Sequence, residues 1–157
     1  MTLVWEDLIN QPFCWGKHDC FSLVRAFYAE NFGIQITNYA RPTNWSSETL
    51  DLPRLCYERE GFEMYTDWKV KDLRPGDLLL MAISDTAANH FAIYVGDNMI
   101  IHHLYGRISS SETFRDFWRN SVCYMLRHPA VPDLRPQFPD TDIRSLLRAR
   151  HNLTPDA

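Results

Sequence analysis

The chain has 157 residues, enough for one domain with a packed core and too few for two of ordinary size. Its hydrophobic share of 45% and aromatic share of 13% exclude a disordered chain, and a net charge of −4 with a pI near 5.8 gives no basic field for nucleic acid. No apolar run reaches the ~18 residues of a bilayer span, so no membrane insertion is expected.

The first segment, MTLVWEDLINQPF, carries acids and no Lys or Arg. That is not an export signal, so synthesis in the cytoplasm without a signal peptide is the expectation. Val4, Trp5, Leu8 and Ile9 recur at helical spacing and predict a short helix ending before Pro12. In CWGKHDCFSLVRAFY, from Cys14 to Tyr28, Asp19 is a suitable N-cap. Cys20, Leu23, Val24, Phe27 and Tyr28 share one helical face, and Gly33 is a stop, which predicts a helix over 20–32. Residues 34–46 read as loop. A second helical piece is expected over about 47–60, unless Pro53 breaks it into two short turns.

From residue 62 the pattern turns to strands. DLRPGDLLLMAI places a Pro-Gly turn before a buried run from Leu78 to Ile83. HFAIYVG and MIIHHLY flank Gly96-Asp97-Asn98, a hairpin signal. Ser109–Ser111 are expected to cap a short helix running through Trp118, and SVCYMLRH to form the last strand. Helices followed by an antiparallel sheet make an α+β domain over 1–128. Prolines 129, 132, 136 and 139 then predict an extended arm. Beyond it, Ile143, Leu146 and Leu147 oppose Arg144, Arg148 and Arg150 in a short basic amphipathic helix. Residues 129–157 are thus read as an appended docking segment.

The chemistry converges on Cys20. At the first turn of a helix, unpaired N–H groups and the helix dipole favour a thiolate, the nucleophilic form. His90 begins a strand, from which its ring can reach a helix end packed on the sheet. A second histidine across the hairpin, His102 or His103, would hold the first ring in its working tautomer. A two-residue turn at Asp97-Asn98 pairs Ala92 with His103; a three-residue turn at Gly96–Asn98 pairs it with His102. Paired residues share a face, so geometry alone leaves both open. Cys14, His18 and Cys20 could instead be metal ligands, but their spacing suits no common zinc module, and no metal is expected. A Cys14–Cys20 disulfide is disfavoured in the cytoplasm. Cys56 and Cys123 read as core, Asp77 as a turn residue, and His128 as solvated.

From residues 13 to 103 the chain resembles the NlpC family of papain-like cell-wall cysteine peptidases. The matching pieces are WG at 15–16, DC at 19–20, RPGDLLLM at 74–81 and HFAIYVGDNMIIHH at 90–103. The resemblance implies a papain-like fold, with N-terminal helices packed on a central antiparallel β-sheet. By position, Cys20 resembles the nucleophile, His90 the general base and His102, at the family's spacing from His90, the orienting residue. It implies no cofactor, and cleavage of amide bonds in peptidoglycan stem peptides. The compact CWGKHDC loop and the absent signal peptide look more like phage tail-tip members. That implies other tail-tip or hub proteins as partners and a place at the virion tail tip. Phe13 stands where many members carry a tyrosine that helps bind the oxyanion. The oxyanion would then rely on backbone N–H groups with the Trp15 indole or His18, beside Asp19. Phe13 also favours an alternative, a structural tail plug or assembly protein with little activity. A thiol acyltransferase is a third reading, to be marked by a deep lipid-lining pocket.

Overall fold

The computed structural model describes residues 1–41, 46–47, 50–51 and 55–136. The predicted helix forms as α1 (Cys20–Phe32), because both of its ends are closed by local chemistry. Asp19 is extended (φ −133°) and its carboxylate accepts the Ser22 N–H. Gly33 adopts φ 67°, where a side chain would be strained, and its N–H returns to the Ala29 carbonyl. The buried stripe is the expected one: Cys20, Leu23, Val24, Phe27 and Tyr28.

The other helical expectations change. The first segment makes only a 3₁₀ turn, Glu6–Leu8, without a side-chain cap, and Asn10 already leaves helical space at φ 62°. In the region expected to be helical over 47–60, β1 (Ser46–Ser47) pairs antiparallel with β2 (Leu50–Asp51), residues 55–56 are helical as expected, and residues 57–60 form a turn closed by Gly61 at φ 84°. Pro53 lies outside the described residues. Ser109–Ser111 do not cap a helix. Ser110–Thr113 instead pairs with the hairpin, and the helix begins only at Asp116. A six-residue helix has little stability of its own, so ladder hydrogen bonds outweigh a weak capping signal.

The sheet follows the α+β expectation. β3 (Glu63–Tyr65), β4 (Leu78–Met81), β5 (His90–Gly96), β6 (Met99–His102), β7 (Ser110–Thr113) and β8 (Val122–Arg127) form one six-stranded sheet, ordered β3-β8-β4-β5-β6-β7, with every pair antiparallel. Strand alternation divides the core in two. Leu78, Leu80, Phe91, Ile93, Ile101 and Leu126 face α1. Leu79, Met81, Ala92, Ile100 and Met125 face the other way, where Phe114, Trp68 and Trp118 of the α2 (Asp116–Ser121) side cover them. This explains the unbroken apolar run of β4, which is buried on both faces.

The hairpin register is neither of the two simple alternatives. Asp97 (φ 47°) and Asn98 (φ 60°) form a two-residue turn closed by the Gly96–Met99 pair. The register then shifts between Tyr94 and Gly96, with Val95 as the extra residue. From there on Ala92 pairs with His102, as a three-residue turn would have required.

Past β8 the chain stays on the domain as far as it is described. Val131 packs against the α1-side core, and Asp133 pairs with Arg74 at 3.3 Å and with Arg135. His128 stacks edge-on against Phe62 and is half-buried rather than solvated. The expected amphipathic segment of residues 140–150 lies outside the described residues. Among the described residues no helix is long and apolar enough to cross a membrane.

The turn before β4 fastens these parts together. Tyr28 donates its hydroxyl to the Gly76 carbonyl, and Asp77 accepts from Arg74 N–H and from Arg127 at 2.7–2.8 Å. Gly76 sits at φ +98°, and a Cβ there would lie 2.9 Å from Val131 Cγ1 and 3.2 Å from Phe32 Cζ. Gly76→Ala should therefore cost about 2 kcal/mol or more in urea unfolding. Adding Val131→Ala should recover part of that loss; strict additivity of the two changes would show that Val131 does not press on this site.

Candidate active site

The loop before α1 is folded around one carboxylate. Cys14 and His18 exchange backbone hydrogen bonds of 2.9 and 2.7 Å across Gly16, which takes φ 77°. Asp19 Oδ2 accepts the Gly16 N–H and Arg41 Nε, both at 2.8 Å, while Oδ1 accepts Ser22 N–H at 2.8 Å. Burial pushes this carboxyl up, but the bonds from Ser22 and Arg41 outweigh it and hold it below the usual 3.8. Arg41 also donates to Asn38, the Tyr39 carbonyl and Ser22 Oγ, and lies over the Phe21 ring at 5.2 Å. Its own carbonyl accepts the Trp15 indole N–H at 2.8 Å. Asp19 and Arg41 are 1% and 5% exposed, so the pair is desolvated.

This places Cys20 at the start of α1, half-enclosed between the helix and β5 and only 7% exposed. The expected lowering of its thiol pKa does not occur. Burial pushes the thiol up to about 12, and the Asp19 charge beside it adds to this. Backbone N–H groups of Phe91 and Phe21, with Arg41, pull the other way without matching it. A helix end supplies about half a unit of charge, too little to offset the loss of water.

His90 opens β5 and His102 closes β6, so both stand at the end of the sheet nearest the start of α1. The register sets them on one face, with His90 Nε2 2.9 Å from His102 Nδ1. Burial, then the neighbouring His102 and His103, hold His90 down to about 3; burial and His103 hold His102 to about 4. His103 points to the other side and bonds the Arg107 carbonyl through Nε2 at 3.0 Å. A carbonyl only accepts, so Nε2 carries the proton and Nδ1 is a lone pair.

A cleft of about 530 Å³ runs past these groups. Cys20, His90, His103, Asp85 and Asn89 line it, and Phe13, Trp15 and Tyr105 form an aromatic wall with centroids 5.0–6.0 Å apart. Of the expected residues, Trp15, Asp19, Cys20 and His90 meet here, with His102 directly behind His90. His18 does not: it is exposed on the loop and is not part of the lining. The Trp15 N–H is committed to Arg41, so the indole offers no donor to an oxyanion. With the Ser22 N–H committed to Asp19, the N–H groups of Cys20 and Phe21 are the first-turn donors that remain beside the thiol. Arg41 and Tyr105 had no sequence signal: Arg41 lies in a featureless loop 22 residues from the carboxylate it serves. None of the four cysteines is in a disulfide, and among the described residues no group of three or more His, Cys, Asp and Glu could hold a metal ion.

The NlpC/P60 family profile matches residues 10–127. Tail tip assembly protein K of Escherichia phage N15 is 27% identical over 126 residues, and the protein of that name from Escherichia phage lambda is 30% identical over 125. These alignments take in 79% and 78% of this chain but 50% and 60% of the relatives, so the chain spans little more than half their length. Among solved structures, the NlpC/p60 domain of the peptidoglycan hydrolase SagA superposes with a TM-score of 0.51 at 20% identity, over 77% of this chain and 90% of that one. At that identity the likeness concerns the fold.

Two outcomes follow from the electrostatics. His90 and His102 refuse, when folded, protons that the unfolded chain accepts below 6.5. The unfolded state then binds more protons, so stability should be complete above pH 6.5 and fall as pH drops toward 4, by up to about 1.4 kcal/mol per pH unit for each group. Urea midpoints across that range should show the slope, and His102→Gln should flatten it; an unchanged slope would mean the histidines are not the cause. Separately, Arg41→Met strands a buried charge and should cost about 3–5 kcal/mol, much of it recovered by Asp19→Asn in the same chain.

Proposed function

The chain belongs to the NlpC/P60 family, and from that premise we propose that it is a cysteine endopeptidase of peptidoglycan stem peptides, working at a phage tail tip. The observation that carries this is one cleft lined by Cys20 and His90, with His90 held at 2.9 Å by His102. The tail-tip setting, with other tail-tip or hub proteins as partners, rests on the two relatives named as tail tip assembly proteins.

His102 occupies His90 Nε2, which leaves Nδ1 as the nitrogen available to the thiol. As the Cys20 sulfur attacks the amide carbon, the S–H proton passes to His90 and the C=O electrons move to oxygen. The carbonyl re-forms, the C–N bond breaks, and His90 returns the proton to the departing amine. A thioester remains. Water then attacks it while His90 takes one of its protons, and the acid leaves as the thiol regains that proton. With the thiol pushed up to about 12 and the imidazole down to about 3, the resting pair is neutral. Proton transfer therefore accompanies attack rather than preceding it. It creates two charges side by side, whose attraction offsets part of the burial cost.

A second reading has its own support. The buried thiol and Phe13, which has no hydroxyl to offer, suit a tail assembly protein that keeps the fold with little activity. An acyltransferase is less favoured. The apolar pocket beneath Phe21 and Val24 holds about 50 Å³, far below the roughly 300–1,000 Å³ of ligand sites.

Mass-spectrometric digestion of purified muropeptides separates the readings. Wild type should release cleaved stem peptides in the presence of a strong chelator, and Cys20→Ala and His90→Ala should fall to background. No cleavage by wild type, together with normal tail assembly by Cys20→Ala, would sink the peptidase reading in favour of the assembly protein.

A further inference from the structure

The hydrogen-bond chain behind Cys20 ends on a group that is not polar. His102 is fully buried, with Nδ1 at His90 and Nε2 lacking any hydrogen-bond partner among the described residues. A neutral imidazole carries one N–H and one lone pair, and the choice between its tautomers decides which of them is stranded at Nε2. The ring packed perpendicular to His102 is Trp118 of α2, with centroids 4.5 Å apart and planes at 86°. That separation is at the short end for perpendicular pairs, so it is the smaller imidazole that has room to present its edge.

An indole face is electron-rich. It attracts an edge N–H and repels a lone pair. Trp118 therefore favours the tautomer with hydrogen on Nε2 and the lone pair on Nδ1. His90 must then donate through Nε2, which leaves the lone pair on His90 Nδ1. The indole is itself well anchored. Arg119, the next residue, donates to the Phe114 carbonyl at 2.8 Å and to Asn98 Oδ1 at 2.9 Å, tying α2 to the turn of the β5–β6 hairpin that carries both histidines.

We propose that Trp118 is a positioning residue: its indole face caps the Nε2–H of His102 and so sets the tautomers of His102 and His90, leaving His90 Nδ1 unprotonated. Its use in catalysis rests on the peptidase reading, but the tautomer assignment does not. Long-range proton–nitrogen NMR of the imidazoles, recorded on the whole chain at neutral pH without substrate, reads it directly. His102 should be protonated at Nε2, with that proton moved upfield by the indole ring current. Trp118→Phe should keep the tautomer. Trp118→Leu should lose the ring-current shift and gain the Nδ1–H form. In muropeptide hydrolysis the Phe variant should stay within about threefold of wild type, and the Leu variant should lose roughly tenfold in kcat with little change in KM, a fraction of what a general base supplies. Protonation of wild-type His102 at Nδ1, or unchanged tautomers in Trp118→Leu, would overturn the proposal. The wild-type spectrum decides it alone should the Leu variant not fold. The expected spectra from a chain that cleaves nothing would remove the peptidase reading and leave the tautomer device standing.

Discussion

The carboxylate of Asp19 is the point on which the site depends. It caps α1 through Ser22, closes the preceding loop through Gly16, and holds Arg41 across a gap of 22 residues. Arg41 in turn fixes Trp15 and covers Phe21. A desolvated ion pair is weak evidence of net stability against an apolar alternative. Its contribution here is geometric: three segments take their places from one side chain, and Cys20 is the next residue along. The same charge works against the thiol, since a carboxylate beside a buried sulfur disfavours thiolate. Positioning and activation are in conflict at this site, and the structure resolves the conflict in favour of positioning.

That resolution defines the chemistry available. A standing thiolate–imidazolium pair needs water or counter-charge to support it, and both groups are too enclosed. Enclosure also has a use. In a medium of low dielectric, a charge formed beside this thiol would interact strongly with fixed dipoles, including the N–H groups at the start of α1. The aromatic wall of Phe13, Trp15 and Tyr105 sits on the solvent side of this arrangement, with Tyr105 78% exposed and free to meet a ligand first.

The sheet supplies the second half of the site through its register. A one-residue slip sends every side chain of a strand to the opposite face. The extra residue at Val95 is such a slip, and it decides that His102 rather than His103 stands beside His90. His103 is left to line the cleft with a lone pair on Nδ1, fixed by its bond to the Arg107 carbonyl. Adjacent histidines with opposite surroundings thus take different parts from one bulge.

Much of this was legible in the sequence, wherever the signal is contained within one turn or one strand. The cap at Asp19, the stop at Gly33 and the buried stripe of α1 all depend on neighbours no more than four residues away, and all appear as read. The α+β order and the buried run of β4 were readable in the same way. Where the signal was weak and the competing partner remote, tertiary structure decided. Ser110–Thr113 became a strand because β6 offered it a ladder. The histidine beside His90 was chosen by a bulge that no local pattern marks, Arg41 by a contact that only folding creates, and the protonation of Cys20 by the removal of water from around it. Burial and register belong to the assembled chain, because each is set by residues far apart in sequence that come together only when the core closes.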